Sequence, residues 1–363
     1  MKNIEDTILS QHKSKKIYIE AMRIFATFFV IFNHTNEEGF VMFATREPGS
    51  VLFWLDLANA IFCKFAVPLF FIISGAMMLH KQQESMKELF TKRVLKYFVI
   101  LVAFSLFYAV SDSILINKET TVDAFLKTIY STNVKYHLGF LYSYLAYLIM
   151  LPLLKSFCKG MENKHFIYLL IIYSINRLLP IVQYLLWKES LTIHSNIAPS
   201  LPIYAFVLPL VGYYLEHRVQ LDDMQKNIWI IWLINIICIA LSCLATYVKG
   251  IDTGKFSESE SQTYFSNFAF INAISIYCTI KVCFHHIKSH IHIEKWIILI
   301  GSLCFGVYLF HPLFKDMPYI KPLLQTLSSS GIPKIIVAWI YVLCLFIPSA
   351  LLTQLIRKAA KIL

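Results

Sequence analysis

The chain has 363 residues, 57% hydrophobic and only 15% charged, with a formal net charge of +11 and a mean hydropathy of +0.61. That balance lies outside the range of soluble domains. The basic residues stand in short connectors without interleaved aromatic residues, so the positive charge carries no nucleic-acid-binding pattern.

Residues 1–16 are polar, and no cleavable signal pattern precedes the first apolar run, which is therefore expected to be retained as a span. Apolar runs of about 18 to 24 residues then recur, each long enough to cross a hydrocarbon layer and none alternating as a barrel strand would. Spans are predicted near 17–36, 58–79, 94–116, 137–157, 166–187, 199–215, 228–247, 266–284, 296–315 and 333–356. The expected fold is all-α: a polytopic transmembrane bundle of about ten spans, in contact with membrane lipids. Residues 1–16 form a cytoplasmic segment, 17–356 one transmembrane domain and 357–363 a cytoplasmic tail. Pro68 in the second predicted span, and Pro202 and Pro209 in the sixth, are expected to kink their helices.

Lysine and arginine counts set the orientation. Lys13, Lys15 and Lys16 lead the chain. Lys81, Lys87, Lys92 and Arg93 fill the second connector, Lys155, Lys159 and Lys164 the fourth, and Arg357, Lys358 and Lys361 the tail. They alternate with basic-poor loops such as 37–57, which places both termini in the cytoplasm. The third connector, with Lys118, Lys127 and Lys135, fits this alternation less well. A lysine-rich, glycine-poor chain of this kind suits a bacterial plasma membrane.

Ionisable side chains at bilayer depth are costly and need a partner or a cavity. Arg23 and His34 on the first span are eleven residues apart, three helical turns plus about 20°, and so share a face with about 16 Å of rise between them. One reading has Arg23 snorkelling to head groups and His34 at an interface. The pair with Glu20 one turn before Arg23 favours a functional stripe, in which an imidazole suits general-base work near neutral pH. His137 opens the fourth span and His311 closes the ninth, so three histidines fall at the same predicted outer face, though each of these two also reads as an interfacial histidine. Arg177 stands mid-depth in the fifth span and calls for a buried partner or an anionic ligand. Lys92, Arg93 and Lys96 open the third span and suit phosphates or anionic lipid equally. No C-x-x-C pair occurs among the eight cysteines, and the loop carrying His285, His286, His290 and His292 lacks acidic or cysteine ligands, so no metal is expected. The tyrosines and phenylalanines read as lipid-facing or interfacial packing.

Four motifs then occur in order. Glu20-Ala-Met-Arg23 leads to Asn33-His34; Val67-Pro68-Leu69-Phe70-Phe71-Ile72-Ile73 ends in Ser74-Gly75; His137-Leu-Gly-Phe140 runs on to Leu151-Pro152; and Gly306-Val307-Tyr308-Leu309-Phe310 closes on His311-Pro312. Over nearly its whole length the chain resembles the acyltransferase 3 family of integral membrane acyltransferases, which modify surface polysaccharides and related envelope molecules. It departs at Lys92-Arg93-Val-Leu-Lys96-Tyr97, where the family often has several arginines and a proline, and at Glu20, where aspartate is commoner. The resemblance implies that His34 is the catalytic histidine and Arg23 its essential partner. Joined to the reading of the residues, it leads to the hypothesis of a cytosolic acyl-CoA, acetyl-CoA first, as co-substrate, its phosphates held by Arg23, Lys92, Arg93 or Lys96. The acceptor would be a hydroxyl of an envelope glycan or lipid-linked sugar, with Glu20, His137 and His311 in support and Arg177 or Tyr308 meeting the charge on the thioester oxygen. The rival reading is a transporter or exporter of a small molecule or glycan precursor, since intramembrane Arg and His also mark permeation paths.

Overall fold

The structure, a computed structural model, describes residues 17–81, 84–116, 121–189, 203–256, 264–287, 291–318 and 320–359. The leading segment 1–16, the first residues of the sixth predicted span, Lys118, His290 and Lys361 lie outside these residues.

Every regular element among the described residues is helical, as expected of backbone that must satisfy its polar groups internally in lipid. The longer α-helices, in chain order, are α1 (Ile17–Asn33), α2 (Val51–Cys63), α3 (Ala66–Met78), α4 (Leu95–Ile116), α5 (Val122–Ser131), α6 (Gly139–Gly160) and α7 (Asn163–Trp187). Then follow α8 (Leu208–His217), α9 (Leu221–Thr253), α10 (Ala269–His286), α11 (Ile291–Lys315), α12 (Ile320–Ser329) and α13 (Lys334–Ala359). Seven segments among the described residues are long and apolar enough to cross a membrane: Val51–Met78, Met86–Ile114, Tyr136–Gly160, Asn163–Trp187, Leu221–Thr253, Ile291–Lys315 and Lys334–Ala359. The protein is thus a multi-pass helical membrane protein. The first, sixth and eighth predicted spans correspond to α1, α8 and α10, which are shorter or more polar. Their polarity follows from position. Packed among other helices, α1 buries Glu20 and Thr27 and α10 buries Asn272 and Ser275, whereas α4, α7 and α9 show lipid-suited side chains such as Phe98, Ile175 and Ile237 on the outside.

The second predicted span starts earlier than its hydropathy suggests and is broken at Lys64 and Phe65, between α2 and α3. Pro68 explains the break, because it has no N–H to offer the Lys64 carbonyl four residues back. Neighbouring helices complete the hydrogen bonding there. Asn33 Nδ2 donates to the Cys63 carbonyl at 3.1 Å, and Asn272 Nδ2 donates to the carbonyls of Ile61 and Phe62 at 3.0 and 3.2 Å. Pro209 lies in the first turn of α8, directly after the π-helical turn Ile203–Val207, so the helix is irregular at this proline. Prolines inside regular α-helix fall at Pro152, Pro180, Pro312 and Pro348. Because Asn272 is fully buried, Asn272→Ala is expected to cost about 1–2 kcal/mol. Thermal unfolding in detergent reads this as a lowered midpoint; an unchanged midpoint would show that the break stands without the amide.

Helices α3 and α8 approach until their backbones touch. A Cβ at Gly75 would collide with the backbone of Pro209, and one at Gly212 with the backbone of Ile72. Reciprocal glycines permit this contact in the same way that small residues do in other membrane helix pairs. Helix α3, fixed by this contact with α8, walls the cavity described next together with α1, α6 and α11.

Candidate active site

Helix α1 carries Arg23 in its first half and delivers His34 one residue past its end, where the His34 N–H donates to the Ile31 carbonyl at 2.9 Å. His311 lies on α11 one turn before its end, and His137 lies in the short 3-10 turn Tyr136–Leu138 that enters α6. The fold brings all three together. His34 Nδ1 and His311 Nε2 are 2.9 Å apart with their rings parallel, and the His137 ring stands edge-on to His311 at 5.6 Å between centroids.

Hydrogen bonding orders the protons in this cluster. His311 Nδ1 lies 2.9 Å from the Tyr308 carbonyl, which can only accept. The Nδ1 of His311 therefore carries the proton and its Nε2 offers a lone pair. His34 Nδ1–H donates into that lone pair, leaving His34 Nε2 as a free base. Lys315, one turn beyond His311, donates to the His34 carbonyl at 2.6 Å and lies over the Tyr136 ring.

Around the cluster, Lys135 bonds Asp112 on α4 at 2.6 Å and Asp316 at the end of α11 at 2.8 Å, its side chain only 11% exposed. Burial works against its charge, yet the hydrogen bonds from its two carboxylate partners hold Lys135 above the ordinary lysine range. That triad ties the turn bearing His137 to the helix end bearing His311 and Lys315. Tyr308 adds a second tie, its hydroxyl donating to the His137 carbonyl at 2.6 Å.

A cavity of about 590 Å³ runs along α1 from Arg23, Gly301 and Ser302 at one end to His34 and His137 at the other. Its wall is aromatic, including Phe70, Tyr97, Phe140, Tyr144 and Tyr308. Arg23 Nη1 bonds Glu20 Oε1 at 2.7 Å, and Glu20 packs where a side chain at residue 301 would have to go. On the far side of His34 lies a second cavity of about 520 Å³, which shares His34, Val67, Tyr136 and Tyr204 with the first. At the Arg23 end, Lys92, Arg93 and Lys96 line a third of about 470 Å³ together with Glu84 and Glu88, and Tyr97 belongs to this one and to the first. Lys92 pairs with Glu88 at 2.8 Å. Arg93 Nε bonds Glu84 at 2.7 Å, and this bond holds the Glu84 carboxyl below the usual range.

The structure thus gathers His34, His137, His311 and Tyr308 at one end of a cavity and Glu20 and Arg23 at the other, with Lys92, Arg93 and Lys96 beyond. Arg177 stands elsewhere: its guanidinium lies over the Tyr173 ring at 5.0 Å and lines neither cavity beside His34. The Tyr308 hydroxyl proton is already committed to the His137 carbonyl. His137, by contrast, is buried with neither ring nitrogen hydrogen-bonded among the described residues, and it lines the cavity. Among the histidines of the polar loop, His286 meets the Gln225 side chain at 3.0 Å.

Sequence reasoning missed the aromatic wall, Lys315 and Arg357. Phe140 and Tyr144 recur at helical spacing on α6 just after His137, and Lys315 follows His311 by four residues on the same face, so both were available as periodicities. Arg357 reads as a topology signal in the tail, but its guanidinium donates to Ser302 Oγ at 3.0 Å, beside the Arg23 end of the cavity. A family model described as an acyltransferase domain matches residues 16–358, essentially the whole chain. No curated protein and no solved structure gives a significant match.

Proposed function

The chain belongs to this acyltransferase family, and from that premise we propose that it moves an acyl group, acetyl first, from cytosolic acyl-CoA to a hydroxyl of a cell-envelope glycan or lipid-linked sugar at a bacterial plasma membrane. The observation that carries the reading is the cavity joining Arg23 to a histidine whose Nε2 is left as a free base. The rise along α1 between the two is about 16 Å, a length that suits the pantetheine arm of coenzyme A.

In this reading the nucleotide end stays at the cytosolic mouth, near Lys92, Arg93 and Lys96, and the thioester reaches the histidine cluster at the outer end. Phosphates would draw Lys92 and Arg93 from Glu88 and Glu84, exchanging one ion pair for another. His34 Nε2 takes the proton of the acceptor hydroxyl as its oxygen attacks the thioester carbonyl. Negative charge gathers on the carbonyl oxygen, and His137 is placed to donate an N–H to it, which is where a preformed donor has its largest effect. Collapse breaks the C–S bond, forms the ester and returns the proton from His34 to the departing thiolate. Arg23 orients the arm from the other end, itself held by Glu20.

The experiment uses proteoliposomes with labelled acetyl-CoA sealed inside and envelope glycan outside. Free thiol is expected to appear inside as label appears on the outer glycan. Glycan or a small solute crossing without any thiol release would favour a transporter, for which the paired cavities on either side of His34 would then serve as a path.

A further inference from the structure

Arg357 stands at the mouth of the cavity that ends at Arg23, and the packing of two helices puts it there. Thr353 on α13 fills the place that a side chain at residue 306 of α11 would need. Gly306 therefore lets the two antiparallel helices close up. One turn further along α13, and one turn back along α11, Arg357 meets Ser302. Its Nη1 donates to Ser302 Oγ at 3.0 Å and its Nη2 donates to the Ser302 carbonyl. The Ser302 hydroxyl proton goes to the Leu299 carbonyl at 2.7 Å, so the oxygen is turned to accept from Arg357. Ser302 itself lines the cavity beside Arg23 and Gly301, and no carboxylate does.

The two bonds to Ser302 use two of the five guanidinium N–H groups. No carboxylate pairs with Arg357 among the described residues, and the sequence has no Asp or Glu after Asp316. Other cations at this end are answered: Arg23 by Glu20, Lys92 by Glu88 and Arg93 by Glu84. A cation that served only topology, or only the carbonyl end of its own helix, would need no fixed place. This guanidinium is exposed, yet it is held to the cavity wall by a neighbouring helix.

We infer that Arg357 is a donor-binding residue, which takes the pyrophosphate of coenzyme A together with Arg23. The inference deepens the acyl-transfer reading and rests on it. Length assigns the phosphates. The pyrophosphate follows directly on the pantetheine arm, and an arm of about 16 Å that starts at His34 ends beside Arg23 and Ser302. The 3′-phosphate, on the far side of the ribose, is then left for the basic run Lys92, Arg93 and Lys96, whose cavity shares Tyr97 with this one. A guanidinium suits the pyrophosphate because its planar fork binds two oxygens of one anion at once.

The test is equilibrium binding to the full-length protein in an uncharged detergent, with no acceptor present and no turnover. Coenzyme A, 3′-dephospho-coenzyme A and pantetheine are titrated against wild type, Arg357→Gln and Arg357→Lys, with thermal midpoints confirming that each variant is folded. Arg357→Gln is expected to weaken coenzyme A and its 3′-dephospho form alike, by about tenfold, as hydrogen bonds to a charged group are lost. Pantetheine, which has no phosphate, should bind the variant and the wild type equally, and Arg357→Lys should recover part of the loss. Unchanged affinities in Arg357→Gln would overturn the inference. So would an equal loss for pantetheine, which marks a disturbed fold, or a loss confined to the probe that carries the 3′-phosphate, which moves Arg357 to the other phosphate. The two readings fail differently. Wild type that binds coenzyme A while ignoring Arg357→Gln sinks this inference alone, whereas wild type that binds neither phosphate-bearing probe sinks the acyl-CoA reading and this inference with it.

Discussion

His34→Ala is expected to lower acyl transfer by about 10³-fold, within the range that a positioned general base contributes, while the protein remains folded. The side chain has few structural duties: its Nδ1 meets His311 Nε2, and the bond from Lys315 goes to the His34 backbone carbonyl, which alanine keeps. The loss should therefore fall on turnover and leave the detergent unfolding midpoint close to wild type. Free-thiol release from acetyl-CoA with a glycan acceptor measures the first, and a thermal scan the second. Equal turnover in variant and wild type would sink the role of His34 and leave the three-histidine cluster to be explained as packing.

Much of this site was legible from residue spacing. Eleven residues on one helix place Arg23 and His34 on one face, and the structure indeed sets both on the wall of one cavity. The convergence of His137 and His311 on His34 followed from counting spans, because helix ends at the same membrane face are neighbours in a bundle. Hydropathy was less informative where packing replaces lipid. The helices α1 and α10 carry buried Glu20 and Asn272 because other helices surround them, α8 is short, and length and polarity alone place all three outside the usual description of a span. At Pro68 the sequence announced an irregular helix, and the coordinates add that it is a break at Lys64 and Phe65, four and three residues earlier. Pairing of Glu84 with Arg93 and of Glu88 with Lys92 also needed coordinates, since the basic run by itself reads as a bare phosphate site.

The partner of His34 carries the second large expectation. His311 touches His34 and no cavity wall beside it, so it acts through the other ring as a positioning residue. Its Nδ1–H is fixed by the Tyr308 carbonyl, and only then does its Nε2 accept from His34 and keep the opposite nitrogen of His34 unprotonated. In His311→Ala nothing prevents the His34 proton from moving to Nε2, the nitrogen that faces the reacting hydroxyl, and the base is lost without the loss of its imidazole. Transfer should fall by about 10²-fold in kcat, near the low end for a general base, with KM for acyl-CoA little changed because Arg23 and the basic mouth are untouched. A merely structural role for His311 predicts the opposite pattern. Loosened packing at this fully buried residue would lower the unfolding midpoint and raise KM for both substrates together. Measuring kcat and KM separately in His311→Ala and in the double variant with His34→Ala decides the matter. If the two histidines work as one unit, the double variant is no slower than His34→Ala alone, whereas multiplicative losses would mean that His311 contributes by a route that does not pass through His34.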